Sequence, residues 1–267
     1  MLWICHPDFH RMQPGATAGG IAVVIDVLRA STTIVTALAH GAARVRPVLD
    51  VADARDWIAR PDVPPGLLLG GERGGLRIDG FDLGNSPLEY TPERVSGRPI
   101  VITTTNGTAA IDACRDALEV LVGAVVNRSA VAARARGLAT SHGAGTIHLV
   151  CAGTDGAATE EDLLGAGAIL HAATRLAGAR TDSLDPHAAG ALAGFRALAP
   201  AAGDVAASAS ACGSIAAAFA ASRGGRNLLA LGMRPDLAAA ARIDTLPLVP
   251  RLDRSSGWIE GDREGRD

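Results

Sequence analysis

Carboxylates, guanidinium groups and hydroxyls are concentrated between residues 70 and 108, in a stretch without a regular hydrophobic period. This stretch contains GERGG, GFDLGNSP and TTTNGT. Long segments of this kind are usually functional or disordered, and the aromatic and aliphatic residues Phe81, Leu83 and Tyr90 argue against disorder. Glu72 offers oxygen ligands that suit Mg²⁺, and an arginine fork suits a carboxylate, sulfonate or phosphate. Such a set of groups could hold a cation and an anion side by side.

The threonine-rich turn lies between a predicted buried strand at residues 100–103 and a predicted helix at residues 107–117. It therefore occupies the carboxyl end of a strand and the amino end of a helix, where free N–H groups and the helix dipole favour an anion. Another interpretation is that Thr105 or Asn106 only caps the helix. Both interpretations remain open at this point.

A second group of polar residues lies at the end of a predicted buried strand at residues 21–27, which is apolar except for Asp26, in the segment DVLRAST. Asp26 is costly to bury there unless it is paired or bound to a metal ion. One interpretation is an ion pair between Asp26 and Arg29 beside a helix capped by Ser31 or Thr32. The other is a metal-binding or nucleophilic Asp26, with Arg29 and the hydroxyls holding an anion.

The three motifs GERGG, GFDLGNSP and TTTNGT, in this order, resemble the 2-phosphosulfolactate phosphatase family, the ComB-like phosphatases. The segments VVIDVLRASTTI, CAGTDG with EED, and GRNLLALG…D…ID…VP agree with it, so the resemblance covers nearly the whole chain. It implies a ComB-like fold and a Mg²⁺-dependent phosphatase acting on phosphate esters of 2-hydroxy carboxylic acids, with 2-phosphosulfolactate the expected substrate. One departure is Glu160, which stands where an apolar residue is expected.

Motifs and resemblance together give a set of expected site residues. We expect catalytic roles for Asp26, Arg29 and Glu72, and metal ligands among Asp26, Glu72, Glu161 and Asp162. The expected substrate contacts are Ser31, Thr32, Arg73, Asn85, Ser86, Thr104, Thr105, Asn106, Gly107, Thr108, Asn127, Arg128, Cys151 and Gly153. Structural alternatives are a pair between Arg73 and Glu72, a packed Cys151, and acidic residues that only favour a helix dipole.

Composition limits the classes of function. All 25 basic residues among the 267 are arginine, which excludes lysine Schiff-base chemistry and a P-loop lysine. A net charge of −3 gives no indication of nucleic acid or a membrane surface as partner, and we expect a small anionic phosphoester instead. No CxxC pair, signal peptide or bilayer-spanning stretch is visible, so a cytoplasmic protein is expected. A homo-oligomer is left open.

Strands and helices alternate along most of the chain, which predicts an α/β fold with a mixed or largely parallel sheet flanked by helices. We expect one unit over residues 1–267, or two subdomains with a boundary near 125–145. Predicted strands include residues 67–69, 227–231 and 246–249, and the tail from residue 254 is expected to be frayed. The candidate groups follow strands, so they should meet at one edge of the sheet.

The sequence leaves two routes for the hydrolysis open. Asp26 attacks phosphorus to give an acyl phosphate, or a water molecule attacks directly. A protein that binds phosphorylated hydroxy acids without hydrolysing them, or a phosphatase for another small phosphoester, is the other functional hypothesis.

Overall fold

The computed structural model describes residues 1–176, 182–198 and 205–262. The strands are β1 (Leu2–His6), β2 (Ile21–Ile25), β3 (Arg44–Pro47), β4 (Leu68–Arg73), β5 (Leu76–Arg77), β6 (Pro99–Thr103), β7 (Glu119–Gly123), β8 (Thr146–Cys151), β9 (Ser183–Leu184), β10 (Val249–Leu252) and β11 (Ile259–Asp262). The helices are α1 (Ala30–Ala39), α2 (Val51–Ala59), α3 (Pro92–Val95), α4 (Gly107–Asp112), α5 (Arg128–Ser141), α6 (Glu160–Ala173), α7 (Pro186–Leu198), α8 (Val205–Ala221), α9 (Arg223–Ala230) and α10 (Arg234–Ala240).

The strands of the described residues form one mixed sheet in the order β5-β4-β6-β3-β11-β10-β7-β2-β8-β1-β9. Two blocks of it are parallel, namely β4-β6-β3 and β7-β2-β8-β1-β9. The antiparallel hairpin of β10 and β11 joins them, with Arg251 opposite Leu121 and Ile259 opposite Val45. The α/β class with a mixed, largely parallel sheet is confirmed.

The parallel strands β2, β6 and β7 are buried along their whole length. Both of their faces are covered, which explains why their sequences are continuously apolar instead of alternating. The hydrophobic side chains drive this arrangement because burying each one stabilises the fold by about 1.5–3 kcal/mol.

Helix α1 lies against both parallel blocks. Its Ile34 and Leu38 share one hydrophobic cluster with Val24 of β2 and Ile102 of β6, and Ile111 of α4 belongs to the same cluster. The sheet must therefore curve around α1 and α4. This curvature brings the carboxyl ends of β2 and β6 close together, although β3, β11, β10 and β7 lie between them in the described sheet.

The opposite face of the second block carries α5, α6 and α7. Val23 of β2 and Leu149 of β8 share a cluster there with Ile169 of α6 and Phe195 of α7. Gly167 allows the close approach of α6 to α7, because a Cβ at this position would lie 2.1 Å from the carbonyl oxygen of Ala191.

Several element predictions were wrong. Residues 227–231 were expected to form a strand, but residues 223–230 form α9. The apolar run NLLAL is too short to distinguish the hydrophobic period of a helix from that of a strand. In the helix, Leu228 is buried while Asn227 borders a cleft. Residues 259–262 were expected to be frayed but form β11, whereas residues 263–267 lie outside the described residues.

Two boundaries also differ from those predicted. Helix α4 ends at Asp112, five residues earlier than expected, and β4 continues through Arg73. Glu72 is therefore held by a strand, and not by a loop.

No helix in the described ranges combines the length and the hydrophobicity needed to cross a bilayer.

Candidate active site

A cleft of about 350 Å³ opens at the carboxyl ends of β2, β4, β6 and β8. Its walls come from the turns after these strands and from α6 and α9. Nine of the residues predicted from the sequence line it, namely Asp26, Arg29, Glu72, Asn85, Thr105, Asn106, Gly153, Glu161 and Asp162. Curvature of the sheet thus brings together side chains that are far apart in sequence.

Asp26 follows β2 directly and is buried. Its Oδ1 accepts a hydrogen bond from the N–H of Ala30 at 3.2 Å, while its own N–H donates to Oγ of Ser31 at 2.9 Å. The N–H of Ser31 returns a bond to the Asp26 carbonyl oxygen at 2.8 Å. The first turn of α1 therefore fixes the carboxylate in one orientation.

The alternative ion pair between Asp26 and Arg29 does not form. Arg29 instead donates from Nη1 to Oδ2 of Asp236 at 2.8 Å and from Nη2 to the carbonyl oxygen of Gly75 at 2.6 Å. Asp236 lies on α10, more than 200 residues along the chain, so local sequence could not indicate this partner.

Glu72 is held by the turn after β6. Its Oε1 accepts from the N–H and the hydroxyl of Thr105 at 2.8 and 2.9 Å, and its Oε2 accepts from the N–H of Gly75 at 2.8 Å. The alternative pairing of Arg73 with this carboxylate is also wrong, because Arg73 donates to the backbone oxygen of Glu72 and to Oγ1 of Thr103. The two motifs GERGG and TTTNGT are thus joined by the carboxylate of Glu72.

Glu161 and Asp162 lie in the first turn of α6 and are buried, whereas Glu160 is exposed. Oδ1 of Asp162 accepts from the N–H of Val27 at 2.8 Å, and Oδ2 accepts from the N–H of Gly153 at 2.9 Å. Asp162 therefore ties the end of β2 to the turn after β8.

Glu161 is bonded on one oxygen only. Its Oε1 accepts from the N–H of Gly224 at 3.1 Å, but Oε2 is buried without a hydrogen-bond partner among the described residues. A buried carboxylate oxygen without a partner carries a full desolvation penalty. A cation or a proton at this position would remove that penalty.

Burial raises the pKa of three carboxylates of the cleft, Asp26, Glu161 and Asp162. Burial raises the pKa of Asp26 to about 7, and the charges of Glu72 and Glu161 add to this effect, while the Ala30 N–H and Arg29 oppose it. Burial also raises the pKa of Asp162 well above its ordinary value, with Asp26 and Glu161 adding to it, and burial raises the pKa of Glu161. The cleft is therefore built for an additional positive charge.

The donor set fits Mg²⁺ better than a softer metal ion. Asp26 and Glu161 supply the carboxylate oxygens that are not fully engaged, and Mg²⁺ is commonly held by one or two carboxylates together with water and substrate phosphate. No group of three or more His, Cys, Asp or Glu side chains in the described ranges has the geometry of a complete protein cage for a metal ion. An ion held partly by substrate and water is consistent with both observations.

Two glycines allow the backbone to approach these carboxylates closely. A Cβ at Gly107 would lie 2.5 Å from Oδ2 of Asp26 and 2.5 Å from Cβ of Ala30. A Cβ at Gly224 would lie 2.1 Å from Oε1 of Glu161. The amino ends of α4 and α9 therefore lie directly against the two carboxylates with oxygens available to a cation.

Other predicted residues support the cleft from behind its walls. The hydroxyl of Thr32 donates to the carbonyl oxygen of Val27 at 2.8 Å. Thr104 and Thr108 bond each other, with the N–H of Thr108 donating to Oγ1 of Thr104 at 3.2 Å. Ser86 donates to Oδ1 of Asp236 at 2.7 Å. Direct substrate contact by these four residues remains a prediction.

Three further predicted residues lie apart from the cleft lining. Asn127 accepts from the N–H of Ala124, and Arg128 pairs with Asp244 at 3.0 Å. Cys151 is buried, and the neighbouring Cys5 and burial raise its pKa well above the ordinary value, so a reactive thiolate is disfavoured. Their predicted substrate contacts have no support from the geometry.

Sequence reasoning missed the wall formed by the last third of the chain. Gly224, Asn227, Leu228 and Leu231 line the cleft, as does Asp155 in the turn before α6. The pattern GRNLLALG contains three of them, but with this segment predicted as a strand, the helix face that borders the cleft was not recognised.

Sequence comparisons relate the chain to known proteins. A family model described as 2-phosphosulpholactate phosphatase matches residues 8–255. A relative from Symbiobacterium thermophilum, named "Probable 2-phosphosulfolactate phosphatase", is 40% identical over 235 residues, which are 87% of this chain and 91% of that protein.

Two other relatives carry the same name and match over shorter regions. The protein from Deinococcus radiodurans is 46% identical over 159 residues, covering 59% of this chain and 63% of its own length. The protein from Caldicellulosiruptor saccharolyticus is 44% identical over 146 residues, covering 55% of this chain and 59% of its own length. These matches thus span about three fifths of each relative.

Proposed function

Because the chain belongs to the 2-phosphosulpholactate phosphatase family, we propose that it hydrolyses phosphate esters of 2-hydroxy carboxylic acids with the help of Mg²⁺. The expected reaction converts 2-phosphosulfolactate and water into sulfolactate and phosphate. The convergence of Asp26, Glu72, Glu161 and Asp162 on one cleft is the observation that supports this proposal.

The charge balance of the cleft favours a phosphoester bound together with a cation. Four buried carboxylates would repel a phosphate, and Arg29 is the one arginine among the described residues that lines the cleft. Mg²⁺ bound by Asp26 and Glu161 would offset two of these negative charges and stabilise the negative charge that builds up on the phosphoryl group.

The substrate's remaining anionic oxygens need neutral or positive donors. Arg29 supplies a guanidinium group, while the amides of Asn85 and Asn106 border the same space. Oδ1 of Asn85 is buried without a partner among the described residues, and as an acceptor it suits a ligand O–H or a water molecule, while only the Nδ2 group of this side chain could donate to an anionic oxygen. These three side chains would orient the ester.

Asp26 is the group positioned to act on the attacking oxygen. Its Oδ1 is fixed by the N–H of Ala30, and its Oδ2 lies beside Gly107 at the amino end of α4. In the direct route, Asp26 accepts a proton from the attacking water. In the covalent route, Asp26 attacks phosphorus and the bond to the ester oxygen breaks, so that the 2-hydroxy acid leaves with a proton from solvent; water then hydrolyses the acyl phosphate to phosphate and free Asp26.

The proposal is tested by phosphate release from a panel of phosphorylated 2-hydroxy acids, with Mg²⁺ or with EDTA. We expect release with Mg²⁺, its loss with EDTA, and its loss in Asp26→Asn. Asp56→Asn changes an exposed carboxylate on α2 and should retain full activity. Binding of the esters without release by the wild-type protein would contradict the proposal and favour a binding protein.

An acid quench with ³²P-labelled ester separates the two routes. Label retained on the wild-type protein, and absent from Asp26→Asn, indicates the acyl phosphate. Turnover without retained label indicates direct attack by water.

A further inference from the structure

Asp236 is a buried carboxylate outside the cleft lining, and both of its oxygens are engaged by residues that belong to site motifs. Oδ2 accepts from Nη1 of Arg29 at 2.8 Å, and Oδ1 accepts from the hydroxyl of Ser86 at 2.7 Å. One carboxylate on α10 thus joins DVLRAST to GFDLGNSP across 207 and 150 residues of sequence, respectively.

The Arg29 guanidinium is clamped from two sides. Its Nη1 also contacts Sδ of Met233, at the start of α10, and its Nη2 donates to the carbonyl oxygen of Gly75. A guanidinium carries five N–H groups, and the bonds to described residues use three of them. The Nε–H and one Nη2–H remain for an anion.

The surroundings make this clamp necessary. The Arg29 side chain is only 3% exposed, and it lies at a cleft that also contains the carboxylates of Asp26 and Glu72. A free guanidinium in such a place would turn toward those carboxylates, because opposite charges attract strongly where water is excluded. Asp236, which lies outside the cleft lining, offers a competing partner.

We propose that Asp236 is a positioning residue, which holds the Arg29 guanidinium ready for the anionic part of the substrate and keeps it from pairing with the carboxylates of the cleft. The bond from Ser86 fixes the Asp236 carboxylate itself, so that segment 85–87 and α10 set the orientation of Arg29 together. This inference rests on the proposed function for the identity of the substrate.

A purely structural ion pair is the competing explanation, and a double-mutant cycle separates the two. Asp236→Asn keeps the shape of the side chain and loses its charge, so it is the variant most compatible with folding. We expect kcat/KM to fall about tenfold, which corresponds to the contribution of one charge-assisted hydrogen bond. Most of this change should come from an increase in KM. In an Arg29→Ala background the same substitution should change kcat/KM less than twofold.

Three further variants sharpen the cycle. Asp236→Ala should lose more activity than Asp236→Asn, and Ser86→Ala should show a smaller loss of the same kind. Asp62→Asn, which breaks an exposed pair with Arg60, should leave kcat/KM unchanged. Unchanged kcat/KM in Asp236→Asn, or equal losses from this substitution with and without Arg29, would overturn the inference.

Binding of inorganic phosphate in the presence of Mg²⁺ provides a readout that needs no turnover. Calorimetry should show about tenfold weaker binding to Asp236→Asn than to the wild-type protein. The wild-type protein could turn over none of the esters and still bind phosphate more tightly than Asp236→Asn does. That result would reject the proposed reaction and support the role of Asp236. Equal phosphate binding by the two proteins would reject the role of Asp236.

Discussion

Replacing Asp26 by Asn should abolish phosphate release and, without metal ion, make the folded protein more stable at alkaline pH. The two effects have one cause, because the folded chain holds a carboxylate where its charge is unfavourable. Burial and the neighbouring carboxylates raise the pKa of Asp26 from 3.8 to about 7. The asparagine side chain has nearly the same shape and no charge.

The sign of the effect follows from proton binding. Between pH 4 and 7 the folded protein keeps a proton on Asp26 that the unfolded chain has lost, so stability falls as pH rises through this window. The full penalty is reached above pH 7 and corresponds to at most about 4 kcal/mol. Weakening the bond from the Ala30 N–H offsets about 1 kcal/mol of the gain. We therefore expect a net gain of about 2–3 kcal/mol at pH 8, or about 5–8 °C in Tm.

The assay is thermal unfolding in EDTA at pH 5 and pH 8, followed by circular dichroism. The wild-type protein should lose stability between these pH values, and Asp26→Asn should lose much less. Adding Mg²⁺ should raise the Tm of the wild-type protein more than that of the variant, since ligand binding stabilises the folded state. Asp56→Asn, with its exposed carboxylate, should follow the wild-type protein at both pH values.

Two results would refute this reasoning. One is an Asp26→Asn protein that is less stable than the wild type at pH 8 in EDTA. The other is a pH dependence that is the same in both proteins, because the buried charge would then make no contribution.

The remaining predictions concern neighbouring groups and one distant histidine. Gly107→Ala places a methyl group 2.5 Å from Oδ2 of Asp26. It should lower kcat/KM, and it should lower the free energy of unfolding by about 1–3 kcal/mol. Gly190→Ala, on the exposed side of α7, should lower neither. Glu161→Gln should raise the Mg²⁺ concentration for half-maximal activity at least about tenfold in a metal titration; an unchanged titration would remove Glu161 from the site. Burial and the nearby His6 lower the pKa of His148 from 6.5 to about 4, so stability should fall as pH drops through this window. Urea unfolding at pH 7 and 4.5 should show a smaller fall in His148→Gln, and equal falls would contradict this.

The sequence was sufficient to predict that the acidic residues meet in one cleft, because each lies at the end of a parallel strand or in the helix that follows one. Asp26, Glu72 and the pair Glu161 and Asp162 all lie at carboxyl ends of strands or at the helix that follows one. Within one parallel block such ends share one edge of the sheet. The two blocks run in opposite directions, because the antiparallel pairings of β3 with β11, β11 with β10 and β10 with β7 separate them. The meeting of Glu72 with Asp26 therefore also requires the curvature of the sheet, which the sequence does not predict.

The partners of these residues could not be predicted in the same way. Local spacing suggested that Arg29 pairs with Asp26, but the arginine bonds Asp236, 207 residues away. Glu72 was a candidate ion-pair partner for Arg73, but successive side chains in a strand point to opposite faces. The carboxylate of Glu72 accepts a hydrogen bond from Thr105 instead. Contacts of this kind depend on how the sheet curves around α1, which no local pattern encodes.

The hairpin of β10 and β11 has a consequence for how the chain acquires its structure. The centre of the sheet comes from residues 249–262, although all other described strands precede it along the chain. During synthesis, the backbone N–H and C=O groups along one edge of β3 and of β7 therefore stay unpaired until the hairpin is made. Unpaired strand edges of this kind can pair with other nascent chains. The two parallel blocks can form early, but only the arrival of this hairpin closes the gap between them. We expect folding to be slow for this reason, since its decisive contacts join residues more than 100 positions apart.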